Sequence, residues 1–163
     1  MIIASNASPL INISRLKLFH YLPTLYEKLF IPEAVVREVV ERGKGRTGAV
    51  EVLDGLKSGF IEKKRVDNAL AVAALSEFFG SGEAEAIVLA SEISADAILL
   101  DDNKARTVAQ SMKLHVIGTI GILLDLKGKR IISEVRPYLN TAIKHGFRIS
   151  ADLYDKVLQK AGE

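Results

Sequence analysis

Apolar residues along this chain fall into two kinds of run, and the two kinds alternate. Short runs at residues 1–5, 29–31, 97–100 and 115–117 have the length and continuity of strands buried on both faces of a sheet. Residues 60–66 read as a more polar strand at a sheet edge, with Lys63, Lys64 and Arg65 facing water. Between the strands, apolar positions recur at helical spacing. Leu10, Ile13, Leu16 and Leu18 mark a first helix, for which Ser8 is the predicted cap and Pro9 the first residue. A short helix is predicted over 20–28, broken by Pro23. Another runs over 33–41 with Val35, Val36, Val39 and Val40, and Gly43 stops it. Further helices are predicted over 49–57, 68–79, 83–93, 104–112, 120–127, 133–144 and 150–161. In 83–93, Ala84, Ile87, Val88 and Ser91 share one face, and the alanines permit close packing on a sheet. Ser133 and Ser150 are the predicted caps of the last two helices.

The resulting order is β-α-α-β-α-α-β-α-α-β-α-β-α-α-α. Alternation of this kind predicts an α/β fold of three layers, α/β/α, with a mainly parallel sheet between helices. With 163 residues, 48% of them hydrophobic, one domain over 1–163 with a real core is the simplest reading, and disorder is excluded. The C-terminal helices from about 133 either fold back on the domain or carry a partner contact.

Composition removes several chemistries. There is no cysteine, hence no disulfide, thiolate metal site or cysteine nucleophile. That fits a cytoplasmic protein. No apolar run reaches the length of a membrane span, and the first ten residues lack the pattern of a signal peptide. His20, His115 and His145 have no ligand spacing, and no GxGxxG, GxxxxGK[ST] or GxSxG motif is present. The net charge of +2 is mild. The basic residues cluster, however: Arg37, Arg42, Lys44 and Arg46 in one place, Lys127, Lys129, Arg130, Arg136, Lys144 and Arg148 in another. Such clusters suit a phosphodiester substrate; on composition alone, solvated surface is the simpler account.

The candidate chemistry centres on AILLDDNKAR, residues 97–106, where a strand ends in Asp101 and Asp102. Open α/β sheets bind ligands at this carboxyl edge. The first strand ends at the same edge, which brings Asn6 and Ser8 near the two aspartates. Glu83 opens a helix that precedes its strand, and a simple alternating wind puts it at the opposite edge. Glu38 flanks the valine stripe of its helix. Each acid also has a plain structural role open to it: Asp101 or Asp102 as a helix cap, Glu83 as first-turn charge favoured by the helix dipole, Glu38 and Glu85 as solvated surface. If the acids converge, oxygen donors without thiolate favour Mg²⁺ or Mn²⁺, which could activate water against a phosphodiester.

The ordered set IIASNASPLINISRL, IPEAVVREVVERG, GSGEAEAIVLASEISADAILLDDNKARTVA and VIGTIGILLDLKGKRII resembles the PIN-domain family, in its prokaryotic, toxin-like branch related to VapC. The resemblance covers nearly the whole chain and implies a Mg²⁺- or Mn²⁺-dependent endoribonuclease, the toxin of a toxin–antitoxin pair. It further implies RNA as substrate, a small antitoxin as partner and a homodimer. Residue by residue, it assigns catalytic and metal-binding roles to Glu38, Glu83 and Asp101 or Asp102, with Thr119 and Ser8 in support, and it moves Glu83 to the shared edge. Asn6 stands where the family usually has an aspartate. An amide oxygen still ligates a hard cation, but a formal charge is lost, and metal affinity is expected to fall by roughly one to two orders of magnitude. Two outcomes stay open: an active nuclease with a weakened site, and a catalytically weak module that binds RNA or protein. A receiver-like domain fits poorly, because neither Lys113 nor Lys127 ends a strand.

Overall fold

The five predicted strands form one sheet in a computed structural model that describes residues 1–163. They are β1 (Ile2–Ser5), β2 (Lys28–Pro32), β3 (Ile61–Lys64), β4 (Ala97–Leu99) and β5 (Val116–Ile117), in the order β3-β2-β1-β4-β5. All neighbours are parallel, with Ala4 of β1 registered on Phe30 of β2 and on Ile98 of β4. β3 is an edge strand, as its lysines suggest.

Strand alternation sorts the core into the predicted three layers. Ile3, Ala97 and Leu99 face a large cluster, while Ala4, Ile98 and Leu100 face a smaller one on the other side. The large side is covered by α1 (Ala7–Arg15), α8 (Thr119–Gly128), α9 (Arg136–Lys144) and α10 (Ala151–Ala161), all of which contribute to it. α6 (Ser81–Glu92) and α7 (Asn103–Ser111) cover the small side through Ala86, Ile87, Ala90, Ala105 and Ala109. The remaining helices are α2 (Leu22–Leu25), α3 (Glu33–Val36), α4 (Ala49–Ser58) and α5 (Ala69–Ser76).

Several local expectations change. The helix predicted over 20–28 is a 3₁₀ turn, Phe19–Tyr21, followed by the single turn of α2. The helix over 33–41 begins as α3 and widens into a π-helical turn, Arg37–Glu41, closed by the Arg42 amide donating to the Arg37 carbonyl at 2.8 Å. Asn6, not Ser8, is the residue before α1, because Pro9 tolerates any position in the first turn and the helix starts two residues earlier. α9 starts at Arg136 rather than after Ser133. Its free amides are met from a distance: the Glu163 carboxylate accepts from Val135 N at 2.6 Å and from Arg136 N at 3.0 Å.

The wind of the chain also reverses the placement first expected for Glu83. After α6 the chain enters β4 at its amino end, where the Asp96 amide donates to the Ile2 carbonyl at 2.8 Å. A helix that delivers the chain to the amino end of a strand must begin at the carboxyl end of the sheet. Glu83, in the first turn of α6, therefore shares the edge of Asn6 and Asp101.

Candidate active site

The carboxyl ends of β1 and β4 lie side by side, the Asn6 amide donating to the Leu99 carbonyl at 3.3 Å. Asp101, two residues beyond β4, is fixed from two helices. Thr119 donates its amide to Oδ1 and its hydroxyl to Oδ2, both at 2.7 Å, and Asn12 Nδ2 donates to Oδ2 at 2.9 Å. The carboxylate thus sits at the N-terminus of α8, where the helix dipole favours it. Gly118 makes this approach possible: a Cβ there would stand 3.1 Å from Asp101 Oδ1 and 2.6 Å from Arg106 Nη1. Arg106 is itself held, donating to the Leu100 carbonyl at 2.9 Å.

The adjacent Asp102 is differently employed. It is the N-cap of α7, its Oδ1 accepting from the Ala105 amide at 2.9 Å. The two aspartates, equivalent in sequence, are thereby separated into a carboxylate held over the sheet edge and an exposed helix cap.

Asn6 occupies the N-cap position of α1 but does not cap it with its side chain. It is only 2% exposed, and its Oδ1 has no hydrogen-bond partner. Buried acceptors are nearly always satisfied, so an orphaned one calls for a ligand or an ion. Ser8, in the first turn of the same helix, is partly buried.

Glu38 and Glu83 meet over the first turn of α6. Gly82 is what lets them: a Cβ there would lie 2.9 Å from Glu38 Oε2. Glu83 Oε2 in turn lies 2.9 Å from where a Cβ on Gly80 would stand. The Glu38 carboxyl is pushed above its ordinary pKa by loss of water and then by the Glu83 charge, while Arg42 pulls it down. Glu38 belongs to the π-helical turn, a widening that often re-aims a functional side chain. Glu85, expected as surface charge, instead braces this region. Its Oε2 accepts from the Ala34 amide at 3.0 Å, and Oε1 faces Arg37 Nη2 at 3.8 Å.

No three Asp, Glu or His side chains converge closely enough to enclose an ion. The acids fall instead into the Glu38–Glu83 pair and the anchored Asp101. The donor chemistry nonetheless fits a hard divalent cation, since every donor is an oxygen and the buried Asn6 Oδ1 is free. Sequence reasoning missed Asn12, Arg106 and the close-approach glycines. Asn12 had a signal, a polar residue between the apolar Leu10 and Ile13; Gly82 and Gly118 had none, because their role depends on neighbours remote in sequence.

An all-parallel three-layer α/β domain of this kind takes its ligands at the carboxyl edge of the sheet, where Asn6 and Asp101 lie. A family model described as a PIN domain matches residues 2–163, and the chain belongs to that family. PIN domains are commonly nucleases and generally use divalent metals. No curated protein and no solved structure matches the chain. No helix is long and apolar enough to cross a membrane.

Proposed function

We propose that this PIN domain is a Mg²⁺- or Mn²⁺-dependent endoribonuclease, the toxin of a toxin–antitoxin pair. The observation that carries the reading is the buried, unpartnered Asn6 Oδ1 at the edge shared with Asp101, and the mutually repelling Glu38 and Glu83 supply the remaining acids. These four residues are the proposed metal ligands. What supports Asp101 over Asp102 is that the Asp102 carboxylate is committed to capping α7. When bound, the cation supplies an activated water and neutralises charge on the scissile phosphate. Asn12 and Thr119 orient Asp101, Glu85 steadies the helix that carries Glu38, and Gly82 keeps Glu38 against α6.

A protein partner is supported by α5. None of its residues is buried, and Leu70 and, just beyond the helix, Phe78 are 82% and 76% exposed. Such a surface suits an antitoxin or a second copy of the chain. The test of the nuclease reading is cleavage of single-stranded RNA with Mn²⁺. Glu83→Gln is expected to abolish cleavage while circular dichroism remains that of the wild type; unchanged cleavage overturns the assignment.

The second reading, a catalytically weak RNA- or protein-binding module, is favoured by the missing charge at Asn6 and by the absence of three converging acids. It expects no Mn²⁺-dependent cleavage by the wild type and a gain on Asn6→Asp.

A further inference from the structure

The two basic clusters of the sequence have different fates. In the C-terminal one, Lys127 pairs with Glu163 at 2.7 Å, Lys129 donates to the Thr24 carbonyl at 2.7 Å, and Arg136 donates to the Glu163 carbonyl at 3.2 Å. These three cations tie helices together, while Arg130, Lys144 and Arg148 of the same cluster are exposed and unpaired and line no part of the cavity beside Glu38. The other cluster opens onto a cavity of about 530 Å³ beside Glu38, whose walls include Arg15, Arg42 and Arg46. All three are exposed, and none makes an ion pair or a side-chain hydrogen bond. Arg15 was not part of the cluster in sequence; it is delivered by the end of α1. Glu38 is the cavity's one acid, and Ile11 and Val39 supply its apolar wall.

Three guanidinium groups facing a single carboxylate, and none of them in an ion pair, converge on the cavity with an excess of positive charge and make a site for an anion. Guanidinium also suits phosphate geometrically, through paired N–H donors. We infer that this cavity is a phosphate subsite, holding a backbone phosphate of the RNA strand next to the one cleaved at Glu38 and Glu83. The inference rests on the nuclease reading, because it is Glu38, shared by both places, that fixes where the strand crosses. It adds that strand placement is set by Arg15, Arg42 and Arg46, with no part taken by Lys127, Lys129 or Arg136.

The test separates the subsite from the catalytic assignment by measuring binding without metal. Fluorescence anisotropy with a labelled single-stranded RNA 12-mer of mixed sequence is recorded in EDTA at a series of salt concentrations. Arg15→Ala/Arg46→Ala is compared with the wild type and with Lys57→Ala, which removes one positive charge outside the cavity. The double variant is expected to bind about tenfold more weakly at low salt, with the slope of log K against log salt reduced by about 0.7 for each phosphate no longer neutralised. Lys57→Ala is expected to bind as the wild type does. Thermal melting confirms that the variants are folded, and Arg15→Lys/Arg46→Lys recovers part of the affinity. If the double variant keeps the wild-type affinity and slope, or if Lys57→Ala weakens binding as much, the subsite is wrong. If affinity falls as expected while no protein in the set cleaves RNA with Mn²⁺, the subsite stands and the nuclease reading fails.

Discussion

Thr119 grips Asp101 twice, through its amide and its hydroxyl, each at 2.7 Å. The pair joins the end of β4 to the start of α8, so one carboxylate serves both the fold and the site. Thr119→Val keeps the volume and the amide bond but deletes the hydroxyl bond. A hydrogen bond to a charged group contributes about 1.5–3 kcal/mol, and the variant is expected to lose stability in that range. Urea denaturation followed by circular dichroism checks the loss. Mn²⁺-dependent cleavage should fall as well, because Asp101 is then oriented by Asn12 and one amide alone.

Glu38 gives a pH dependence of known sign. Its folded pKa is raised, by desolvation first and Glu83 second. Across the interval between the ordinary and the raised value, the folded protein binds more protons than the unfolded chain. Stability of the metal-free protein therefore decreases as pH rises through that interval. Glu38→Gln removes the effect, so in EDTA it should melt above the wild type at pH 7, the gap closing as the pH is brought below the ordinary carboxylate range. A gap that is independent of pH contradicts the electrostatic account.

Asn6→Asp should move stability and metal affinity in opposite directions. The new carboxylate, at a position only 2% exposed, lowers the melting temperature of the metal-free protein. Calorimetric titration with Mn²⁺ should show binding tighter by about tenfold or more. Equal affinity of the two proteins removes Asn6 from the proposed ligand set.

Asp102 separates a cap from a ligand. Asp102→Ala should cost about 1 kcal/mol through loss of the bond to Ala105 N. Asp102→Asn should restore most of it, since an amide oxygen caps nearly as well as a carboxylate. Chemical denaturation of the three proteins gives the comparison directly.

Glu163 predicts a second, acid-side dependence. Its surroundings cost it water, but hydrogen bonds from Lys127, Val135 N and Arg136 N hold its carboxyl down at about 2. Its contribution is present above the ordinary carboxylate range and is lost as pH falls towards about 2. Wild type and Glu163→Gln should therefore differ in melting temperature at pH 7 and converge in strong acid.

The layered architecture was legible in the sequence because each strand is a short apolar run and each helix repeats its apolar positions, both local properties. The succession of strands and helices along the chain, the parallel sheet between helix layers and the cap Ser150 followed; the order of strands within the sheet did not. Spacing alone puts the start of α6 at the wrong edge of the sheet, although the topology requires the right one. The cap of α9 could not be read at all, because Glu163 lies 27 and 28 residues away in sequence from the amides it meets. At the site, residue types gave the acids, and the family resemblance gave their set. Which aspartate caps and which is held over the edge depends on Thr119 and Asn12, and no spacing within AILLDDNKAR contains that information.

The alanine face beneath α6 carries a consequence for how the site can drift. Ala4, Ala86 and Ala90 let the helix rest close on the sheet, and Glu83 rides on its first turn. A bulkier side chain at Ala86 would lift the helix, and the lift would reach the solvent as a wider gap between Glu83 and Asp101. The spacing between Glu83 and Asp101 is in this sense calibrated by the smallest side chains of the interior. A substitution far from any acid could retune which cation the proposed site accepts without altering a single donor.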